Sequence, residues 1–167
     1  MNRIDRVHRL SLVLEAEENL YVELRDLLQR ERACMVALDA EGLEQAVDAK
    51  ETLAEEARLL EESRIDVACE LASELGIADP RPSLSQLLEA LGDTDGRLRE
   101  QHLRLVALLA AVRELVDANA SFAREGLEQV QGTLRTLGRL LPQEPVYRPA
   151  EPPRLGRDAS RLLRGVA

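Results

Sequence analysis

Two seven-residue lines run through the start of the chain, and the charges that interrupt them constrain the fold most. One line is Leu10, Glu17, Leu24, Glu31 and Leu38; the other is Leu14, Tyr21, Leu28 and Met35. Together they alternate by four and three, the spacing of a helix seam. After Asp39-Ala-Glu-Gly42 the pattern restarts as Leu43, Lys50, Ala57, Arg64, Leu71, with Ala46, Leu53, Leu60 and Val67 beside it. Asp39 is a suitable N-cap, and so short a join folds two helices into an antiparallel hairpin. Pairing residues whose numbers sum to 81 sets Leu38 opposite Leu43, Glu31 opposite Lys50 and Glu17 opposite Arg64. Both acidic breaks in the first helix then meet both basic breaks in the second. A slip of one heptad would set glutamate against an apolar layer, so these pairs are expected to fix the register.

Gly76 and the segment Asp79-Pro80-Arg81-Pro82 end the second helix, and Ser83 caps a short one, LSQLLEAL (84–91). A longer helix is expected from about Asp95 to Leu141, where Pro142 stops it. Its apolar stripe reads Leu98, His102, Leu105, Leu109, Val112, Val116, Asn119, Ala123, Leu127, Val130, Leu134, Leu137 and Leu141. The step through Ala123 is a stutter that shifts the stripe around the helix. The predicted fold is all-α: an elongated antiparallel bundle of three long helices plus one short helix, over residues 1–141. Residues 142–167 form a separate, flexible, Pro-rich and basic tail, holding five of the chain's seven prolines.

A core with only 2% aromatic residues is built from leucine, valine and alanine, which suits helix seams. The net charge of −9 argues against nucleic acid as a partner. The tail departs from that balance, with five arginines against three acids. The amino-terminal MNRIDRVHRL lacks the apolar core of a signal peptide. The longest apolar run, LVALLAAV at 105–112, is far short of the roughly 20 residues a membrane span needs. A cytoplasmic protein without direct membrane insertion is expected. By the hairpin register, Cys34 lies near the turn and Cys69 near the far end of the hairpin, so they cannot form a disulfide.

Little here suggests catalysis. No glycine-rich phosphate loop occurs, and neither His8 nor His102 has a glutamate three residues before it, as a di-iron bundle would need. No enzyme activity, metal or cofactor is expected. Asn119, a polar residue on an apolar stripe, reads either as a register-fixing core residue or as a group facing a binding groove. The tail reads either as a plain terminus or as a spacer that presents Tyr147 as an anchor.

The order Tyr21, Leu24, Leu28, Glu31, Asp39, Leu43, Lys50, Leu60-Glu61 and Arg64 resembles the FlgN family of flagellar export chaperones. So do Leu115 and Asn119 in the long helix and the proline-tyrosine tail around Tyr147. The resemblance implies a cytosolic bacterial chaperone of long antiparallel helices. It implies as clients the hook–filament junction proteins FlgK and FlgL, bound by their C-terminal ends, and the export gate protein FlhA as docking partner of Tyr147. The glycine usual soon after that tyrosine is replaced here by Arg148-Pro149-Ala150-Glu151. An apolar groove accepts an amphipathic helix at i, i+3, i+4 and i+7 anchors, so Asn119, Phe122, Leu127, Val130, Leu134, Leu137 and Leu141 are the expected client-binding residues. The alternative from another class is a structural coiled coil that self-assembles through the same stripes and has no export client.

Overall fold

A computed structural model describes residues 2–79, 81–92 and 96–140. The expected tail, Leu141 and Tyr147 lie outside the described residues. Four helices follow in order: α1 (Arg3–Ala37), α2 (Ala40–Leu75), α3 (Leu84–Leu91) and α4 (Arg97–Leu140). Among the described residues there is no strand, and the all-α class is as expected.

Each boundary has a local chemical cause. Asn2 caps α1 through a reciprocal pair with Asp5: the side chain of each accepts the backbone N–H of the other. Ser83 and Gln86 repeat that arrangement at the start of α3. Between α1 and α2 the turn is only two residues long. Leu38 closes α1 in the left-handed conformation (φ 56°), and Asp39 accepts from the Gly42 N–H to open α2. Gly42 is buried against this cap: a Cβ there would lie 2.3 Å from Asp39 Oδ2 and 2.9 Å from Cys34 Sγ. At the far end Gly76, at φ 70°, terminates α2.

By its internal contacts the chain divides into two units, Met1–Gln129 and Val130–Ala167. In the first, α1 and α2 form the antiparallel hairpin with the layers that the sequence spacing predicts. Leu10 and Leu71, Leu14 and Val67, and Leu28 and Leu53 are all buried. The main apolar cluster sits at the open end of the hairpin. There Leu84, Leu87 and Leu88 of α3, with Leu98 and Leu105 of α4, cover Leu10, Leu14, Val67, Ala68, Leu71 and Ala72. His102, expected on the apolar stripe, is half-buried beside α3, with Nε2 3.3 Å from Ser85 Oγ.

Helix α4 runs parallel to α1. Ser11 and Gln101 exchange two hydrogen bonds, of 3.0 and 3.3 Å, Arg104 bonds Glu18 at 2.8 Å, and Arg32 bonds the Ala118 carbonyl at 3.2 Å. The face that α4 buries keeps one line of the expected stripe, Leu98, Leu105, Val112 and Asn119, and shifts its companion line by one residue. The buried residues are Leu98, Gln101, Leu105, Val112 and Asn119. With the half-buried Leu108, Leu115 and Phe122 they complete two strict heptad lines. Val116 and Ala123, expected on the stripe, are exposed. The sequence at 105–112 is apolar all round, so periodicity alone could not choose the face.

In the second unit the described residues, Val130–Leu140, continue as helix. Gly132 is half-covered and every other residue in that stretch is exposed.

Candidate functional site

The charged breaks in the hairpin make two different layers. Arg64 Nε donates to Glu17 Oε1 at 2.9 Å, with the Glu17 side chain only 4% exposed. Its second oxygen, Oε2, is buried without a hydrogen bond. Burial accordingly pushes the Glu17 carboxyl above its usual range, against the opposing pull of the Arg64 charge and hydrogen bond; Glu61 adds a smaller upward push. Burial raises the neighbouring Tyr21 phenol as well, helped by the charges of Glu17 and Glu61.

Nearer the turn, both oxygens of Glu31 are used. Oε1 accepts from Lys50 Nζ on α2, and Oε2 accepts from Asn119 Nδ2 on α4 at 2.9 Å. The same amide nitrogen also donates to the Leu28 carbonyl at 2.9 Å. One carboxylate therefore joins three helices. This arrangement fits the principle that buried polar groups find partners.

Asn119 and Phe122 thus differ from the rest of the expected binding stripe. Asn119 is 5% exposed, and its amide N–H groups serve α1. The reason is that the heptad lines carry it into the α1 interface. Phe122 is half-buried, with the Arg32 guanidinium 3.7 Å above its ring centroid, a cation–π contact. With the Arg32–Ala118 hydrogen bond, residues 28–32 of α1 grip residues 118–122 of α4. The sequence signal for this grip was only the polar residue on a core line; its acceptors could not be read from spacing within one helix.

Past that grip the character of α4 changes. Leu127 in the first unit is exposed. In the second unit Val130, Leu134 and Leu137 keep 50–62% of their surface open at i, i+4 and i+7. Large apolar side chains repeated at this spacing make a continuous stripe rather than scattered exposure. Chemically the stripe offers apolar surface and no reactive group.

Elsewhere the options are thin. A polar cleft of about 270 Å³ between α1 and α4 is lined by Glu15, Glu18, Asn19, Arg97, Gln101 and Arg104. Its best-placed charges, Glu18 and Arg104, already neutralise each other. Among the described residues no group of three His, Cys, Asp or Glu side chains is placed to hold a metal ion. None of the described helices is long and apolar enough to cross a membrane.

A family model described as FlgN protein matches residues 1–151. Comparison with curated proteins and with solved structures finds no match in either set. The family match covers most of the chain, including all four helices and the exposed stripe of α4, and on that ground the chain belongs to the FlgN family of flagellar export chaperones.

Proposed function

We propose that this chaperone binds the C-terminal helical ends of FlgK and FlgL through the late stripe of α4, keeping them unassembled in the cytoplasm until export. The binding residues are Leu127, Val130, Leu134 and Leu137, continued by Leu141. Asn119 and Phe122 act at the border, where they end the packed face of α4 and so fix where the free stripe begins. Tyr147, in the 142–167 arm, docks on the export gate protein FlhA.

The observation that carries this reading is the exposure of Val130, Leu134 and Leu137 at the spacing an amphipathic helix recognises. Closing a half-open leucine or valine contributes about 1 kcal/mol, so the four described side chains supply about 4 kcal/mol. Micromolar binding needs about 8 kcal/mol net of the cost of association. A client with an apolar face of its own roughly doubles the gain, and contacts from the arm supply more.

The test is calorimetric titration with C-terminal segments of FlgK and FlgL against the wild-type chain and the Leu134→Glu, Leu137→Glu double variant. Two carboxylates placed in the interface should weaken binding at least a hundredfold while far-UV helicity stays near wild type. Wild-type affinity in the double variant would put the client elsewhere. No binding of either segment, together with a concentration-dependent oligomer, would favour the self-assembling scaffold.

A further inference from the structure

Three glycines in α4 lack the local reasons that explain others in the chain. The turn glycine Gly76 takes a positive φ, and Gly42 is hemmed in by Asp39 and Cys34. Gly126, Gly132 and Gly138 sit inside a helix without positive φ, and a Cβ added to any of them meets nothing within 4 Å. Close approach of a partner helix does not account for the set either. Six residues leave an α-helix about a third of a turn short of closure, so the three glycines point in three directions. One docking helix could use at most one of them.

What the three share is their effect on the helix itself. Each glycine shifts the helix–coil balance toward coil by about fivefold relative to alanine, and three together by on the order of a hundredfold. Thr133 and Thr136 add β-branched residues to the same stretch, and the Thr136 hydroxyl competes for the Gly132 carbonyl at 3.0 Å. Helices usually recover such losses by burying a face, yet no residue from 126 to 140 is buried.

We propose that Gly126, Gly132 and Gly138 hold the end of α4 near its helix–coil balance, so that capturing a client folds this segment and releasing the client unfolds it. The proposal rests on the client reading above and concerns its regulation. A site that is folded only part of the time binds more weakly by that fraction, which keeps an export chaperone able to surrender its cargo. The grip of Arg32, Leu28 and Glu31 on residues 118–122 sets the inner limit of the folding segment.

The experiment uses the full chain carrying Gly126→Ala, Gly132→Ala and Gly138→Ala. Free-protein far-UV helicity should rise. The C-terminal segment of FlgK or FlgL should bind about twofold more tightly, the gain open to a segment that is half folded in the wild type and fully folded in the variant. Unchanged helicity would show that the segment is already fully folded and overturn the proposal. Raised helicity with unchanged affinity would overturn the coupling alone. Failure of both wild type and variant to bind either segment would overturn the coupling together with the client reading, while the helicity change still registers separately.

Discussion

Replacing Asn119 by leucine tests whether the three-helix layer stabilises the fold or merely sits in it. The side chain is buried and donates to Glu31 Oε2 and to the Leu28 carbonyl, each at 2.9 Å. A hydrogen bond to a carboxylate contributes about 1.5–3 kcal/mol and a neutral one about 1 kcal/mol. Leucine returns about 1 kcal/mol through apolar burial, so the net loss should be about 2–3 kcal/mol. Buried polar groups are often replaceable by apolar ones at little cost. Here the substitution removes a partner and leaves Glu31 charged, with Lys50 as its remaining contact among those described. For a chain of this length the melting temperature should fall by roughly 5–10 °C. Urea denaturation followed by far-UV circular dichroism measures the loss, with an unchanged m-value showing that the unfolded reference has not moved. In a Glu31→Gln background the same change should cost about 1 kcal/mol less, because the stranded group is then neutral. Asn119→Leu as stable as wild type, or an equal cost in both backgrounds, would refute the reasoning.

Two further expectations concern the hairpin. Burial raises the Glu17 carboxyl in the folded state, so the fold holds this proton more tightly than the unfolded chain does. That stability is complete below the ordinary glutamate range and is lost as pH rises through the raised value. Wild type should therefore lose stability relative to Glu17→Gln across that interval. Urea midpoints collected from about pH 4 to pH 7 decide it, and a gap that widens in favour of wild type would mean that Arg64 outweighs burial. Separately, Gly42→Ala should push the Asp39 carboxylate off its cap and crowd Cys34, costing about 1–2 kcal/mol. An unchanged thermal melt would show that the turn has room to spare.

The hairpin was legible because its interruptions carry opposite charge: Glu17 with Arg64 and Glu31 with Lys50 meet at the layers that the spacing of two separate segments implies. Capping residues were legible for a different reason: Asp39 and Ser83 act on backbone N–H groups three residues away. The face of α4 was legible only in part: the line through Leu98, Leu105, Val112 and Asn119 is buried as expected, but its companion line is not the expected one. Around residues 105–112 every side of that helix is apolar, and Gln101, a polar residue that periodicity passes over, is buried because Ser11 on another helix satisfies it. Nor could spacing show that Asn119 and Phe122 answer to Glu31 and Arg32, nearly ninety positions away. The exposed stripe was readable as apolar period, whereas its openness is not a property of spacing within one helix.

Lys50 is the chain's single lysine, and its ammonium rests on Glu31 in the layer where α1, α2 and α4 meet. Among the side chains, amine chemistry thus has one address, built into the tie between helices. That side chain is partly open to solvent while its ammonium is held by Glu31, so its rate of acylation, compared with that in a Glu31→Gln chain, records how firmly the tie holds the nitrogen. Reductive methylation with labelled formaldehyde would keep the charge and leave an isotopic beacon at the same spot. Among its side chains the sequence thus carries a single reporter of its own zipper, with no engineered tag required.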